Sequence, residues 1–400
     1  MAERAWRKVK FDEAAARSDL RAKAQKALAA GPLCDHCLGR LFAQVDTGLS
    51  NDQRGRLVRQ ALGAAAATSP CGLCGGLFGA LDAWAARARD ALAGWEFARL
   101  AVASHADPKI VEREETLWRE GGGDQAEPYK QEFNRLLGIR LCDRLGCEAD
   151  LQHPDIIIVA DPAAGKVTLA VEPLFVVGRY RKLGRGFPQC RWPAWPTSVQ
   201  EIVGDPIGQA AGGEDHFFHG CGREDTDVRC LGERPFVVEV IRPRRRRLDW
   251  AALTEAINRS GKVEVVGLAP CRREEVARLK ELRPEKTYRA LAALGGDVEA
   301  AACERLAGLV GTLRQRTPTR VLKRRPDLVR ERRIVALEWK RLGPRTLEIT
   351  VRAQAGTYIK ELISGDGGRT TPSVAEVLGV RAECTELDVL AIHTQPPLNT

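Results

Sequence analysis

Along the first hundred residues the hydrophobic and polar positions predict three helices. The first covers 12–30 and stops at Gly31 and Pro32, one free to take left-handed backbone and the other lacking an N–H. The second opens at Ser50-Asn51-Asp52-Gln53, where a hydroxyl and an amide three residues apart can cap each other's backbone N–H, and runs to about 67. The third is rich in alanine and covers about 80–93. From 94 to 195 the pattern is mixed. Helices at 112–120 and 129–145 flank Gly121-Gly122-Gly123, and strands at 155–160 and 167–177 enclose the turn Asp161-Pro162-Ala163-Ala164-Gly165. Residues 188–213 are rich in Pro and Gly with little periodicity, which places the main domain boundary there. Beyond it, strands at 235–241, 262–268, 333–341, 346–354 and 384–392 alternate with helices at 250–259, 272–281 and 297–309. That alternation predicts an α/β or α+β domain with a sizeable sheet.

Composition narrows the class. The 400 residues suffice for two or three domains with cores of their own, and 44% hydrophobic with 29% charged residues is a soluble globular balance. No apolar run approaches the ~20 residues of a membrane span, and no secretory signal opens the chain, so the expected setting is cytoplasmic, with no membrane partner. A cytosolic setting would keep the 12 cysteines reduced, which argues against a disulfide framework.

Four of those cysteines form two tight pairs, Cys34/Cys37 and Cys71/Cys74. Each Cys-x-x-Cys turn supplies two soft ligands, and two such turns complete a tetrahedral zinc site with no position left for water. The expected zinc is therefore structural; buried or redox-active thiols are the alternative. Pro70-Cys71-Gly72-Leu73-Cys74 also matches half of a zinc-deaminase signature, but none of the six histidines begins the His-x-Glu that would complete it. His216 and His219 stand at metal-ligand spacing without a third ligand nearby and read as loop or substrate-side residues.

The net charge of +9 is divided almost evenly between the two halves, so any polyanion footprint must come from local clusters. Three stand out. Arg179, Arg181, Lys182, Arg185 and Arg191 lie beside Tyr180, Phe187, Trp192 and Trp195; residues 242–247 carry five arginines, Arg244 and Arg245 among them; residues 314–333 carry nine basic and two acidic side chains. Cations for phosphates with aromatics for exposed bases favour RNA, although a solvated face is the usual fate of a charge run.

The candidate chemistry is in His219-Gly220-Cys221-Gly222-Arg223-Glu224-Asp225-Thr226-Asp227-Val228-Arg229. An extended backbone would put Arg223, Asp225, Asp227 and Arg229 on one face, where the arginine keeps a carboxylate ionised. A surface ion-pair ladder has the same pattern. Two later segments add a polar aromatic in Lys286-Thr287-Tyr288-Arg289-Ala290 and a cation in Gly356-Thr357-Tyr358-Ile359-Lys360-Glu361-Leu362, which turns from a strand into a short helix.

Together these three segments resemble the motifs of the pseudouridine synthase superfamily. Gly222-Arg223-x-Asp225 resembles its catalytic-aspartate motif, Tyr288 its active-site tyrosine, and Gly356-Thr357-Tyr358-Ile359-Lys360 its third motif. Within the superfamily the chain is most similar to the Pus-ten type, tRNA pseudouridine 54/55 synthase. Supporting stretches are Cys34-Asp35-His36-Cys37-Leu38-Gly39-Arg40, Gly178-Arg179-Tyr180-Arg181-Lys182-Leu183, Gln315-Arg316-Thr317-Pro318-Thr319-Arg320 and Gly368-Arg369-Thr370-Thr371-Pro372. Leu231-Gly232-Glu233-Arg234-Pro235-Phe236 is one residue shorter than the family's usual Leu-Gly-x-Gly-Arg-Pro-Phe.

The resemblance implies an α+β chain: a helical zinc-binding module at 1–93, a THUMP-like RNA-binding region at 94–195, and a synthase domain at 196–400 with a mixed, largely antiparallel sheet flanked by helices. It implies isomerisation of uridine 55 of the tRNA TΨC arm, with uridine 54 a second candidate, and no cofactor for catalysis. Asp225 would be the catalytic carboxylate, with Arg223 or Lys360 its partner and Tyr288 stacking on the base or taking its C5 proton. Ile359 and Leu362 are candidates for an apolar wall beneath the base or plain core residues. Arg179, Arg181, Lys182, Arg244 and Arg245 are candidates for RNA contact. No P-loop or Gly-x-Gly-x-x-Gly suggests a nucleotide cofactor. The competing reading is a non-catalytic zinc-containing tRNA-binding protein, which leaves the order Asp225, Tyr288, Lys360 unexplained.

Overall fold

The computed structural model describes residues 18–394 apart from 47, 66–69, 122 and 124. The chain divides into two units, Met1–Glu172 and Pro173–Thr400.

In the first unit the helix Asn51–Leu62 begins with the expected reciprocal cap between Ser50 and Gln53 and ends on Gly63 at φ 63°. The helices Ser18–Ala29, Leu81–Ala91, Pro108–Gly121 and Tyr129–Leu145 fall within or close to the predicted spans. The predicted positions 12–17 and 66–67 lie outside the described residues. Four strands, β1 (Arg99–Ser104), β2 (Glu148–Ala149), β3 (Ile156–Asp161) and β4 (Lys166–Val171), form a sheet ordered β2-β1-β3-β4. Ile156, Ile158 and Ala160 alternate inward along β3, and one core joins them to Phe133, Trp84 and Leu38. The expected division at 93/94 is therefore not a division between cores.

The second unit is built on a ten-stranded sheet. Its strands are β5 (Leu174–Lys182), β6 (Asp215–Gly220), β7 (Arg229–Ile241), β8 (Val263–Cys271), β9 (Glu285–Leu294), β10 (Gly311–Arg316), β11 (Val329–Gly343), β12 (Thr346–Ala353), β13 (Thr370–Thr371) and β14 (Ala382–His393). The order is β13-β10-β11-β12-β9-β14-β7-β5-β8, with β6 added on β7. Neighbours are antiparallel except β14 and β7. At that junction buried Asp388 of β14 accepts from Arg229 of β7, Arg289 of β9 and Arg185.

Two expectations are corrected. The single strand 167–177 is two strands, β4 and β5, belonging to different sheets and different units. The main boundary accordingly falls at 172/173 rather than at 195/196, because β5 is buried along its length between β7 and β8. The aperiodic stretch where the boundary was expected instead holds the helix Val199–Ala211, with Pro206 inside it. Its glycines have a packing reason. A Cβ at Gly204 would lie 2.4 Å from the His216 ring, which therefore seats His216 against the helix, bonded through Nε2 to Asp205 at 2.7 Å. His216 and His219 are strand residues of β6, the latter 3.0 Å from Glu239.

Candidate active site

Residues 221–228, between β6 and β7, form the centre of the site. Gly222 turns the chain at φ 75°, and a Cβ there would lie 3.0 Å from Lys286 Nζ and 3.3 Å from Arg234 Nη1. A turn follows in which Val228 N donates to Asp225 O at 3.1 Å. Beneath it buried Lys182 donates to the carbonyls of Asp225 (3.3 Å), Thr226 (3.0 Å) and Val228 (3.0 Å). The segment is thus wound rather than extended, and the expected one-faced ladder does not form. Arg223 points to solvent without a hydrogen bond or ion pair to the described residues, and Arg229 pairs with Asp388.

Glu224, beside Asp225, is fully buried. Its carboxylate accepts from Tyr180 Oη at 3.0 and 3.1 Å and lies 3.0 Å from Arg234 Nε, close but not aligned as a hydrogen bond. Burial, reinforced by Glu224, pushes the Tyr180 phenol well above its ordinary value. Gln189 Nε2 donates to Tyr180 Oη at 2.7 Å and to Gly222 O at 2.9 Å, and Arg234 Nη1 donates to Cys221 O at 2.8 Å. The loop therefore rests on a buried polar network.

Asp225 itself is 42% exposed, open to a substrate. Its Oδ2 accepts from Arg320 Nη1 at 2.9 Å and lies 3.6 Å from Lys360 Nζ. Arg320 is braced from behind, Nε donating at 2.7 Å to Glu361, which is buried. Burial disfavours the Arg320 charge, but Glu361 and Asp225 more than offset it. Lys360 spends most of its charge on Asp227, at 2.9 and 2.7 Å. Burial opposes the Asp227 charge as well, and the Lys360 bonds hold the carboxyl below its usual range. Lys360 is placed by the helix Ile359–Ser364, entered through Tyr358, whose backbone N–H and C=O are both bound by buried Gln315 at 2.9 Å.

Tyr288 sits on β9 in register with Val351 and Val389 and packs on the core of the unit. Burial pushes its phenol up to about 12. Two residues earlier on the same strand face, Lys286 is 9% exposed, and its ammonium has no hydrogen-bond partner among the described residues. Burial, aided by the Arg234 charge, lowers Lys286 to about 8.

The structure thus brings Asp225, Asp227, Lys360 and Arg320 together, and leaves Arg223 apart. Ile359 and Leu362 are both core residues. Lys182 is a buried clamp for the Asp225 turn rather than a surface cation. Arg179 and Arg181 face Glu233, and Arg181 also Glu264. Arg244 and Arg245 are exposed. Arg320, Glu361, Glu224 and Gln315 went unnoticed as site residues. The available signal for Arg320 was its place in the stretch 315–320 shared with the family, hidden by the eight other basic residues of 314–333.

In the first unit the Sγ atoms of Cys34, Cys37, Cys71 and Cys74 lie within 4.8 Å of one another. The Cys34–Cys74 sulfur distance of 3.8 Å matches the edge, about 3.8 Å, of a tetrahedron with zinc–sulfur bonds of about 2.3 Å. The backbone N–H groups of Cys34 and Cys37 donate to the sulfurs of Cys71 and Cys34 at 3.2 and 3.5 Å. The donor set fits a structural zinc.

Comparison with known proteins follows the same division. Residues 175–393 match the profile described as Pus10, C-terminal, and residues 84–161 that of the archaeal Pus10 THUMP domain. The chain belongs to the Pus10 family of tRNA pseudouridine synthases. A tRNA pseudouridine synthase Pus10 of Methanothrix thermoacetophila is 41% identical over 432 residues, covering 95% of this chain and 96% of the relative. Those of Pyrococcus furiosus (39%, covering 92% and 97%) and Methanothermobacter marburgensis (42%, covering 90% and 95%) are similar to the same extent. Membership makes the chain an enzyme, an isomerase of the pseudouridine synthase class with a THUMP domain, and sets aside the non-catalytic reading. No described helix is long and apolar enough to cross a membrane.

Proposed function

We propose that the protein converts uridine to pseudouridine in tRNA, at position 55 of the TΨC arm with position 54 as a second site, using Asp225 as the catalytic carboxylate. The observation that carries this is the setting of Asp225: an accessible carboxylate on a backbone turn clamped by Lys182, with Arg320 at 2.9 Å and Lys360 at 3.6 Å. The reaction breaks the bond from N1 of uracil to the sugar and makes one from C5, with a proton lost at C5 and one gained at N1. Asp225 serves the first step by attacking the sugar carbon or C6 of the base, or by stabilising positive charge on the sugar; all three need the ionised form. Arg320 bonds to that carboxylate and Lys360 lies within ion-pair distance of it, which fixes its position. Tyr288, protonated at neutral pH, stacks on the base and takes the C5 proton only as its own departs.

A uridine in the folded tRNA must be extruded first, at a cost of a few kcal/mol. RNA contacts from the THUMP domain and from exposed arginines such as Arg244 and Arg245 offset it. Cys34, Cys37, Cys71 and Cys74 hold a zinc ion, which stiffens the first unit and takes no part in the chemistry. The test is incubation with an unmodified tRNA transcript followed by chemical mapping of pseudouridine. Asp225→Asn is expected to abolish product while tRNA binding survives; substantial residual turnover would overturn the assignment.

A further inference from the structure

We propose that Trp192 is the stacking site for an unpaired nucleobase of the RNA that flanks the uridine presented to Asp225. The inference rests on the site being RNA-modifying and adds a base-binding subsite to it.

Of the aromatics interleaved with the first basic cluster, Tyr180 and Phe187 are buried in the core, whereas Trp192 is 40% exposed. It stands on a solvent-facing turn closed by Trp195 N donating to Trp192 O at 3.0 Å. Two independent tethers hold this turn beside the catalytic loop. Gln189, three residues before Trp192, donates to Gly222 O at 2.9 Å, and Gly222 is three residues before Asp225. The second is the Arg324 guanidinium, which lies over the indole, 4.9 Å from the ring centroid. Arg320, four residues earlier, is bonded to Asp225. The segment between them is wound, with Arg324 N and Arg325 N both donating to Val321 O at 2.9 and 3.1 Å. Arg320, Arg324 and Arg325 therefore fan out from one short segment onto Asp225, Trp192 and the Tyr358 hydroxyl.

The chemistry of that surface selects its occupant. Residues 319–325 carry Arg320, Lys323, Arg324 and Arg325 with no acid, which suits a passing phosphate backbone. Trp192 adds a wide π face, which accepts any base. Extruding the target uridine strips its neighbour of a stacking partner, and the indole replaces it. Arg324, released from the ring, turns to the adjacent phosphate.

The experiment uses the full chain and unmodified tRNA transcripts, intact or with one abasic nucleotide at each position flanking the target. Trp192→Ala is expected to bind the intact transcript roughly tenfold more weakly, the usual size of one base–aromatic stack. Trp192→Phe should recover most of that loss and Trp192→Leu should not. At one flanking position the abasic transcript should cost the wild type about tenfold and cost Trp192→Ala nothing further. Wild-type affinity in Trp192→Ala, or equal abasic penalties in both proteins at every position, overturns the proposal. The same binding series in the Asp225→Asn background separates the two readings, because it needs no turnover. Coupling at Trp192 together with an active Asp225→Asn would leave the stacking site standing and remove the catalytic assignment.

Discussion

Replacing Glu224 by glutamine keeps the side chain's shape and removes one charge from beneath the Asp225 turn. The Glu224 carboxylate is completely buried and the Arg234 side chain 1% exposed. Burial works against the Arg234 charge, but Glu224 so outweighs it that the guanidinium holds its proton more firmly than in water. Once Glu224 is neutral, Arg234 remains charged in a dry site with the Cys221 carbonyl as its remaining strong acceptor. Breaking a buried pair from one side costs about 3–5 kcal/mol. Glutamine retains an acceptor oxygen for Tyr180, which puts the expected loss near the lower end, about 3 kcal/mol. For a unit the size of residues 173–400, each 1 kcal/mol lowers Tm by about 2–4 °C, so a fall of roughly 6–12 °C is expected. Thermal melting by circular dichroism at pH 7 measures it. The double variant Glu224→Gln/Arg234→Met removes both charges and should melt above the sum of the two single losses, with a coupling of about 1 kcal/mol or more. A melting point within about 2 °C of wild type for Glu224→Gln, or strictly additive losses, refutes the reasoning.

Three further outcomes follow from the same geometry. Arg320→Met leaves Asp225 with Lys360 alone; because both partners are about 40% exposed, the lost support is roughly 1 kcal/mol, so single-turnover rates should fall about fivefold, and an unchanged rate would remove Arg320 from the site. Lys286 is lowered to about 8 in the folded chain against an ordinary 10.5, so below pH 8 its charge destabilises the fold in full, by roughly 3 kcal/mol, and the penalty lifts as pH rises toward 10.5. Stability relative to Lys286→Met should thus rise across that window in denaturant titrations; a flat difference contradicts it. Cys71→Ser, or strong chelation, should release one zinc per chain and broaden the melting of the first unit, whereas unchanged metal content would take Cys71 out of the site.

What the sequence made legible was local chemistry. The Ser50/Gln53 cap, the paired cysteines and the short helix carrying Lys360 each depend on residues within a few positions of one another. The largely antiparallel sheet followed from the resemblance, and the strand pairing agrees with it. What escaped the sequence was supplied from far along the chain. Lys182 looked like part of a phosphate-binding cluster because the three carbonyls it holds are more than forty residues away. Arg179, Arg181 and Arg185 looked free because Glu233, Glu264 and Asp388 come from other strands. Arg320 could not be chosen over its basic neighbours until Glu361 was seen bracing it. The helix Val199–Ala211 was hidden by glycines whose purpose is to admit the His216 ring from another element.

The place of β14 in the sheet has a consequence for how the enzyme is made. Asp225 enters from the β7 side of the sheet, while Tyr288 and Lys360 belong to the β9 and β12 side. The two sides meet across β14, the last described strand, and Asp388 on it draws in arginines from both. On a ribosome Asp225, Tyr288 and Lys360 are therefore all synthesised before the strand that closes the seam between them. A nascent chain halted before residue 382 would carry these three side chains but not the strand across which the two sides of the sheet pair.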